Sequence, residues 1–173
     1  MRRDSLSTLP HEGGAGENGV TMTAPTLVFA WGNPSRGDDA LGPLFGEHFE
    51  TLAARHPEWG DIEVLTDFQL QVEHALDLQL RQRVLFVDAS ASAQSACTLT
   101  RITAAKDVSF TTHAISPQSV MQVYAELEEC EPPPCWLLAI RGETFELGEP
   151  LSANALQHLH AALGMAAEWI SLP

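Results

Sequence analysis

Basic residues are scarce in this chain of 173 residues. Nine lysines and arginines stand against 23 aspartates and glutamates, a net charge of −14 with histidine neutral. Such a surface repels a phosphate backbone, which weighs against nucleic acid as a partner and in favour of a basic partner or a bound cation. Cysteine is also sparse. Cys97, Cys130 and Cys135 make an odd count without repeat spacing, unlike a secreted disulfide framework. Cys130 and Cys135, separated by Glu131 and three prolines, have no second Cys/His pair with which to hold zinc. No apolar run approaches the roughly 18 residues that cross a bilayer. Arg2-Arg3 is followed by the polar SLSTLPHEGG, which lacks the apolar stretch of an export signal. A cytoplasmic protein without membrane contact is expected. Two catalytic signatures are missing as well. There is no G-x-S-x-G elbow, and Gly32, Gly37 and Gly42 fall five apart rather than as G-x-G-x-x-G. The double aspartate between them would also repel a pyrophosphate, so a dinucleotide site is not expected.

What the chain does have is apolar substance, 45 % of its residues, enough for the core of one domain. Residues 1–25 show glycines, prolines and scattered polar residues without an apolar period, and are expected to form a flexible N-terminal arm. The domain is expected over 26–173. Apolar runs at 26–30 (TLVFA), 62–66 (IEVLT), 84–89 (VLFVDA) and 136–140 (WLLAI) read as buried strands, and the alternating 97–102 (CTLTRI) as an edge or half-exposed one. Between them lie helical patterns: about 41–55, with Leu41, Leu44, Phe45, Phe49 and Leu52 inward, and a short one at 73–80. Another, capped by Ser116 with Pro117 at the first helical position, has Val120, Val123, Tyr124 and Leu127 on one face. The last runs from about 152 to 169, with Ser152 as cap and Leu156, Leu159 and Leu163 inward. Strands alternating with helices predict an α/β fold, a mostly parallel twisted sheet of about five strands between helical layers.

In such sheets ligands gather beyond the carboxyl ends of the strands. Three segments place polar groups there: Gly32-Asn33-Pro34-Ser35-Arg36-Gly37-Asp38-Asp39 after the first strand, Val87-Asp88-Ala89 at the end of the third, and Thr111-Thr112-His113 before a helix. Asp38 and Asp39 are adequately explained as carboxylates at a helix N-terminus, a stabilisation of about 0.3–1 kcal/mol at an exposed site. Asp88 is harder to explain away, because a charge closing an apolar strand is costly unless paired, hydrogen-bonded or bound to a cation. Two carboxylates and one imidazole give an O,O,N set suited to a divalent transition metal, with positions left open for water or substrate. Asn33 and Asp67 are further candidates, Asn33 with the alternative of merely making the turn and Asp67 of capping the next one. Glu73 reads as the start of a helix. His48, His56, His74, His158 and His160 fall on or beside helix surfaces without a carboxylate at a telling spacing.

The series GNPSRGDDALG, VLFVDA and TTHAISP, in this order and followed by LSANAL near the last helix, resembles the maturation endopeptidases of nickel-iron hydrogenases from about residue 26 to 170. The segment DFQLQVEHALDL is most similar to the HoxW-type branch, which serves the NAD-reducing soluble hydrogenase. The resemblance implies a three-layer α/β/α sandwich and a peptidase of the aspartyl or metal-dependent type. Such a peptidase removes a C-terminal peptide from the hydrogenase large-subunit precursor after nickel insertion. It also implies metal contacts at Asp39, Asp88 and His113, with nickel supplied by the substrate rather than held permanently, and a monomer. Other members write S-P-H where this chain has Ser116-Pro117-Gln118, so an alignment on that motif would place glutamine at the third position. Amide hydrolysis needs an activated water or a polarised carbonyl. A metal acting as Lewis acid and an aspartate acting as general base both answer that need. Two other readings compete: a non-catalytic nickel-binding chaperone with the same ligands, and a peptidyl-tRNA hydrolase. The second requires a basic groove and a histidine soon after the G-N-P turn, and the chain offers neither.

Overall fold

The computed structural model describes residues 22–106 and 115–172. Residues 1–21 of the expected arm and the Thr111-Thr112-His113 segment lie outside the described residues. The arm's last residues belong to the domain: the Ala24 carbonyl accepts a hydrogen bond from Arg81 at 2.8 Å and the Pro25 carbonyl from the Gln82 N–H at 2.7 Å.

All five expected strands are present: β1 (Thr26–Trp31), β2 (Ile62–Asp67), β3 (Arg83–Ser90), β4 (Cys97–Ile102) and β5 (Cys135–Arg141). They form one sheet in the order β2-β1-β3-β5-β4, in which only β4 runs antiparallel. Successive side chains of a strand face opposite ways, so the apolar runs of the central strands serve two cores at once. Val28, Ala30, Leu85 and Val87 face α1 (Leu41–Ala53) and α3 (Ala155–Ser171), meeting Leu41, Phe45 and Phe49 from the former and Leu159, Ala162 and Ala166 from the latter. Leu27, Phe29, Val84 and Phe86 face the other way, against Val120, Met121 and Tyr124 of α2 (Pro117–Glu128) and against Ala75 and Leu78. The result is a three-layer α/β/α sandwich.

Four expectations are corrected. The short helix expected at 73–80 is a 3-10 turn over Val72–Leu78, opened by a reciprocal exchange in which the Gln71 and His74 side chains accept each other's backbone N–H. The last helix begins at Ala155, not near Ser152. Asn154 stands at its N-cap, and Ser152, two residues earlier, instead donates its N–H to the carboxylate of Asp38 at 2.7 Å. Leu156 is 64 % exposed; half of the buried stripe of α3 is alanine, with Leu159, Trp169 and Ile170 as the rest. Leu127 likewise points outward, one turn beyond the last core residue of α2. The Ser116 cap is as expected, its hydroxyl accepting the Ser119 N–H at 3.2 Å.

Candidate active site

The four parallel strands turn their carboxyl ends to one rim of the sheet. From β1 the chain crosses through α1 to β2 on one side, and β3 returns to the other side of β1. The topological switch point therefore lies between the ends of β1 and β3. A gap opens there. The β1–β3 ladder ends at Ala30 with Val87, whereas β3 continues beside β5 as far as Ser90 with Arg141. Asp88 is the first residue of β3 beyond the ladder with β1, half-buried, with no partner strand on that side.

The opposite wall is the loop after β1. Asn33 makes the turn with its side chain, whose Oδ1 accepts the Ser35 N–H at 2.9 Å, and its backbone N–H donates to Oδ2 of Asp39 at 2.8 Å. Gly32 and Gly42 let this loop sit close: a Cβ on Gly32 would overlap the Asp39 carbonyl, and one on Gly42 the Trp31 carbonyl. The loop ends in a 3-10 turn over Gly37–Ala40 that leads into α1. Asp39 is thus held by the Asn33 N–H in this loop, near Asp88. Its charge bears on Asp88, whose carboxyl is raised to about 7 first by burial and then by Asp39, against one stabilising hydrogen bond from the Ala89 N–H. A carboxyl poised near neutrality beside a second carboxylate is able to take or give a proton at physiological pH.

The expectation that Asp38 and Asp39 sit together at an exposed helix start is corrected. Asp38 is fully buried. Its Oδ2 accepts the N–H groups of Glu143 at 2.7 Å and Thr144 at 3.4 Å, and its Oδ1 that of Ser152 at 2.7 Å. Burial pushes this carboxyl up, but those hydrogen bonds outweigh it and hold it below the usual range. The Asp38 N–H returns a bond to the Thr144 carbonyl at 2.7 Å, and Gly37 donates to Glu149 at 3.1 Å. Arg36 Nε reaches the Phe145 carbonyl at 3.1 Å. The loop after β1 is in effect fastened to the segment between β5 and α3. The sequence offered one hint of this contact in Gly142, which follows a buried strand and leaves room for the Asp38 side chain.

Asp67 closes β2, and its carbonyl accepts the Gly32 N–H at 3.0 Å. His74, discounted from sequence, lies with Nε2 3.3 Å from the Asp67 carboxylate. Its Nδ1 accepts the Gln71 N–H at 2.9 Å, which places the proton of the neutral ring on Nε2, facing Asp67. Glu73 is exposed on the 3-10 turn. A cleft of about 350 Å3 lies between Gly32, Pro34, Pro43 and the end of β2 at Thr66, Asp67 and Phe68. Gln118 is half-buried in the first turn of α2, its carbonyl held by the Ala105 N–H at 3.1 Å. Among the described residues no group of three histidines, cysteines or carboxylates is arranged to hold a metal. His113 lies outside them, so Asp39 and Asp88 are the two members of the expected trio whose meeting can be described.

No family model matches the sequence, and no curated protein matches it. Solved structures do. A NiFe hydrogenase maturation protease, HycI, from Thermococcus kodakarensis superposes with a TM-score of 0.64 at 19 % identity, over 86 % of this chain and 94 % of that one. The hydrogenase maturating endopeptidase HybD from E. coli gives 0.62 at 20 % identity, over 84 % and 91 %. A second T. kodakarensis protease, HybD, gives 0.60 at 17 %, over 84 % and 99 %. At such identities the likeness establishes architecture: this chain folds as the NiFe hydrogenase maturation proteases fold.

Proposed function

We propose that this protein is a peptidase that shortens the C-terminus of a NiFe hydrogenase large-subunit precursor. The observation that carries the reading is the pair of carboxylates, Asp39 and Asp88, at the switch point of a fold whose solved relatives include proteins named as endopeptidases. The motif run of this chain supports the narrower reading of a HoxW-type enzyme acting in the cytoplasm on the precursor of an NAD-reducing hydrogenase. Nickel enters as part of the substrate. Already seated in the precursor, it completes its coordination with Asp39, Asp88 and His113, and so brings the scissile bond to the rim. Metal loading then becomes the condition for cleavage, because the unloaded precursor lacks the contact.

At the bond itself, a water oxygen adds to the carbonyl carbon, the C–N bond breaks, and a proton passes to the departing amine. A carboxylate not engaged by the nickel takes the proton from water and passes it to the nitrogen; while no nickel is bound, burial and Asp39 hold the Asp88 carboxyl at about 7, in the range that suits such a transfer. Asp39 supplies the neighbouring negative charge, its orientation set by the Asn33 N–H.

The test is incubation of the purified protein with nickel-loaded and nickel-free precursor, followed by the mass of the large subunit. Shortening of the loaded form alone is expected. Asp39→Ala or Asp88→Ala should abolish it in a folded protein, and so should His113→Ala, whereas Gln118→Ala should be mild. Unchanged mass with tight binding would make the protein a nickel-sensing chaperone instead.

A further inference from the structure

The segment between β2 and β3 carries a feature that the chemistry at the rim does not use. Phe68, Val72, Leu76 and Leu80 recur every four residues and are exposed by 65 %, 52 %, 54 % and 81 %. The segment starts at the carboxyl end of β2 and finishes at the amino end of β3, so the four residues descend the flank of the molecule from the rim to the opposite edge of the sheet. The inward residues of the same stretch, Leu70, Ala75 and Leu78, are buried against α2 and the sheet. The segment thus buries Leu70, Ala75 and Leu78 and leaves four large apolar side chains in solvent. They form a ridge that follows the course of the chain rather than one helix face, since a 3-10 turn repeats every three residues.

Leu80 adds an independent observation. Its φ is +61°, in the left-handed region that suits glycine or asparagine and is strained for leucine. At 81 % exposure, little packing within the chain offsets that backbone cost. The ridge is also bordered by negative charge. Glu73 lies on the turn itself, and Gln79 Nε2 hydrogen-bonds Glu128 at 2.7 Å, which sets Glu128 and Glu129 of the α2 end alongside. The nearby cations are engaged: Arg81 with Glu63, and Lys106 with Glu126 at 2.9 Å.

We propose that this ridge is a second contact for the precursor protein, which would meet it with an apolar surface bordered by lysine or arginine. Phe68 gives the reason for that partner. It heads the ridge and also lines the cleft beside Gly32 and Pro34, so the ridge continues directly from the rim at which a bound tail would lie. A second copy of this chain, itself at −14, would bring like charge to the same border. The proposal rests on the peptidase reading for its partner.

The test compares the full-length protein with Leu76→Lys/Leu80→Lys on nickel-loaded precursor. KM should rise about tenfold with kcat unchanged, as expected when exposed anchors of an interface are lost. Leu172→Lys, an equally exposed position at the end of α3, should stay within about twofold. Leu80→Gly should relieve the backbone and raise the thermal midpoint while still raising KM. Unchanged KM in the folded double variant overturns the proposal. So does a wild-type dimer that the double variant converts to monomer, since the ridge would then be a self-interface. If the wild type leaves the precursor at full length, the peptidase reading fails by itself; the ridge is then judged by retention of precursor on immobilised protein, and equal retention by the double variant overturns it.

Discussion

Asp38 and Asp39 are chemically identical neighbours, and the fold separates them by what it offers each carboxylate. Asp38 receives three backbone N–H groups from a segment more than a hundred residues away, while Asp39 receives one from Asn33 and leaves its charge to bear on Asp88. Asp88 bears the cost of that arrangement. Unfolded, it titrates near its ordinary value of 3.8; folded, it titrates at about 7. Between those values the folded state binds the proton and the unfolded state does not, so Asp88 makes the protein less stable as pH rises through the window. Replacement by neutral Asn removes the dependence. Asp88→Asn should match the wild-type stability near pH 4 and exceed it at pH 8, by on the order of 2 kcal/mol once partial exposure is allowed for. Thermal melts across that range check it, and coincident curves at pH 8 would show that the carboxyl is not raised. Activity should respond in the opposite sense to stability, since the substitution that relieves the fold removes the proton carrier.

The strands were legible as elements because a buried parallel strand is a short apolar run, and each such run became one. Asp88 was legible for the same reason, as the polar residue that ends the strongest of them. Helices read less well where small residues do the packing. Ala155, Ala162 and Ala166 bury α3 without standing out in an apolar period, so Leu156 was placed inward when it is not. The inward turn of Asp38 was not legible at all, since nothing local tells which of two adjacent aspartates finds a partner on another element. His74 does not stand out in the sequence because the carboxylate it meets, Asp67, stands seven positions earlier across a bend. Gly42 illustrates how a tight contact between elements hides in a single residue. A Cβ there would strike the carbonyl of Trp31, a backbone atom that cannot swing aside, whereas one on Gly164 of α3 meets nothing within 4 Å. Gly42→Ala should therefore cost about 3 kcal/mol or more and displace the loop that carries Asp39, abolishing cleavage. Gly164→Ala should stabilise by about 0.5–1 kcal/mol through helix propensity. Urea unfolding of the two variants measures the contrast, and equal effects would mean that α1 does not lie this close to β1.

For the molecule as a whole, charge decides how a partner is met before any contact forms. The excess of 14 negative charges is not neutralised around the rim, where Glu143, Glu146 and Glu149 are exposed and Arg36 is tied to the Phe145 carbonyl. Glu128 and Glu129 extend the same sign toward the far end of the apolar ridge. A field of one sign speeds the approach of an oppositely charged surface and is screened beyond about 10 Å at 0.1 M salt. The apolar ridge and the carboxylate pair act at contact distance and are screened far less. Raising salt from 0.05 to 0.5 M, both on the order of laboratory buffers, should then slow association with the precursor about tenfold and leave dissociation nearly unchanged. Stopped-flow association at several salt concentrations gives both rates. Replacing Glu128 and Glu129 by glutamine should flatten the salt dependence without altering kcat. A salt-independent association rate, or one that rises with salt, would mean that the precursor presents no basic surface to this face, and the charge of the chain would then serve solubility alone.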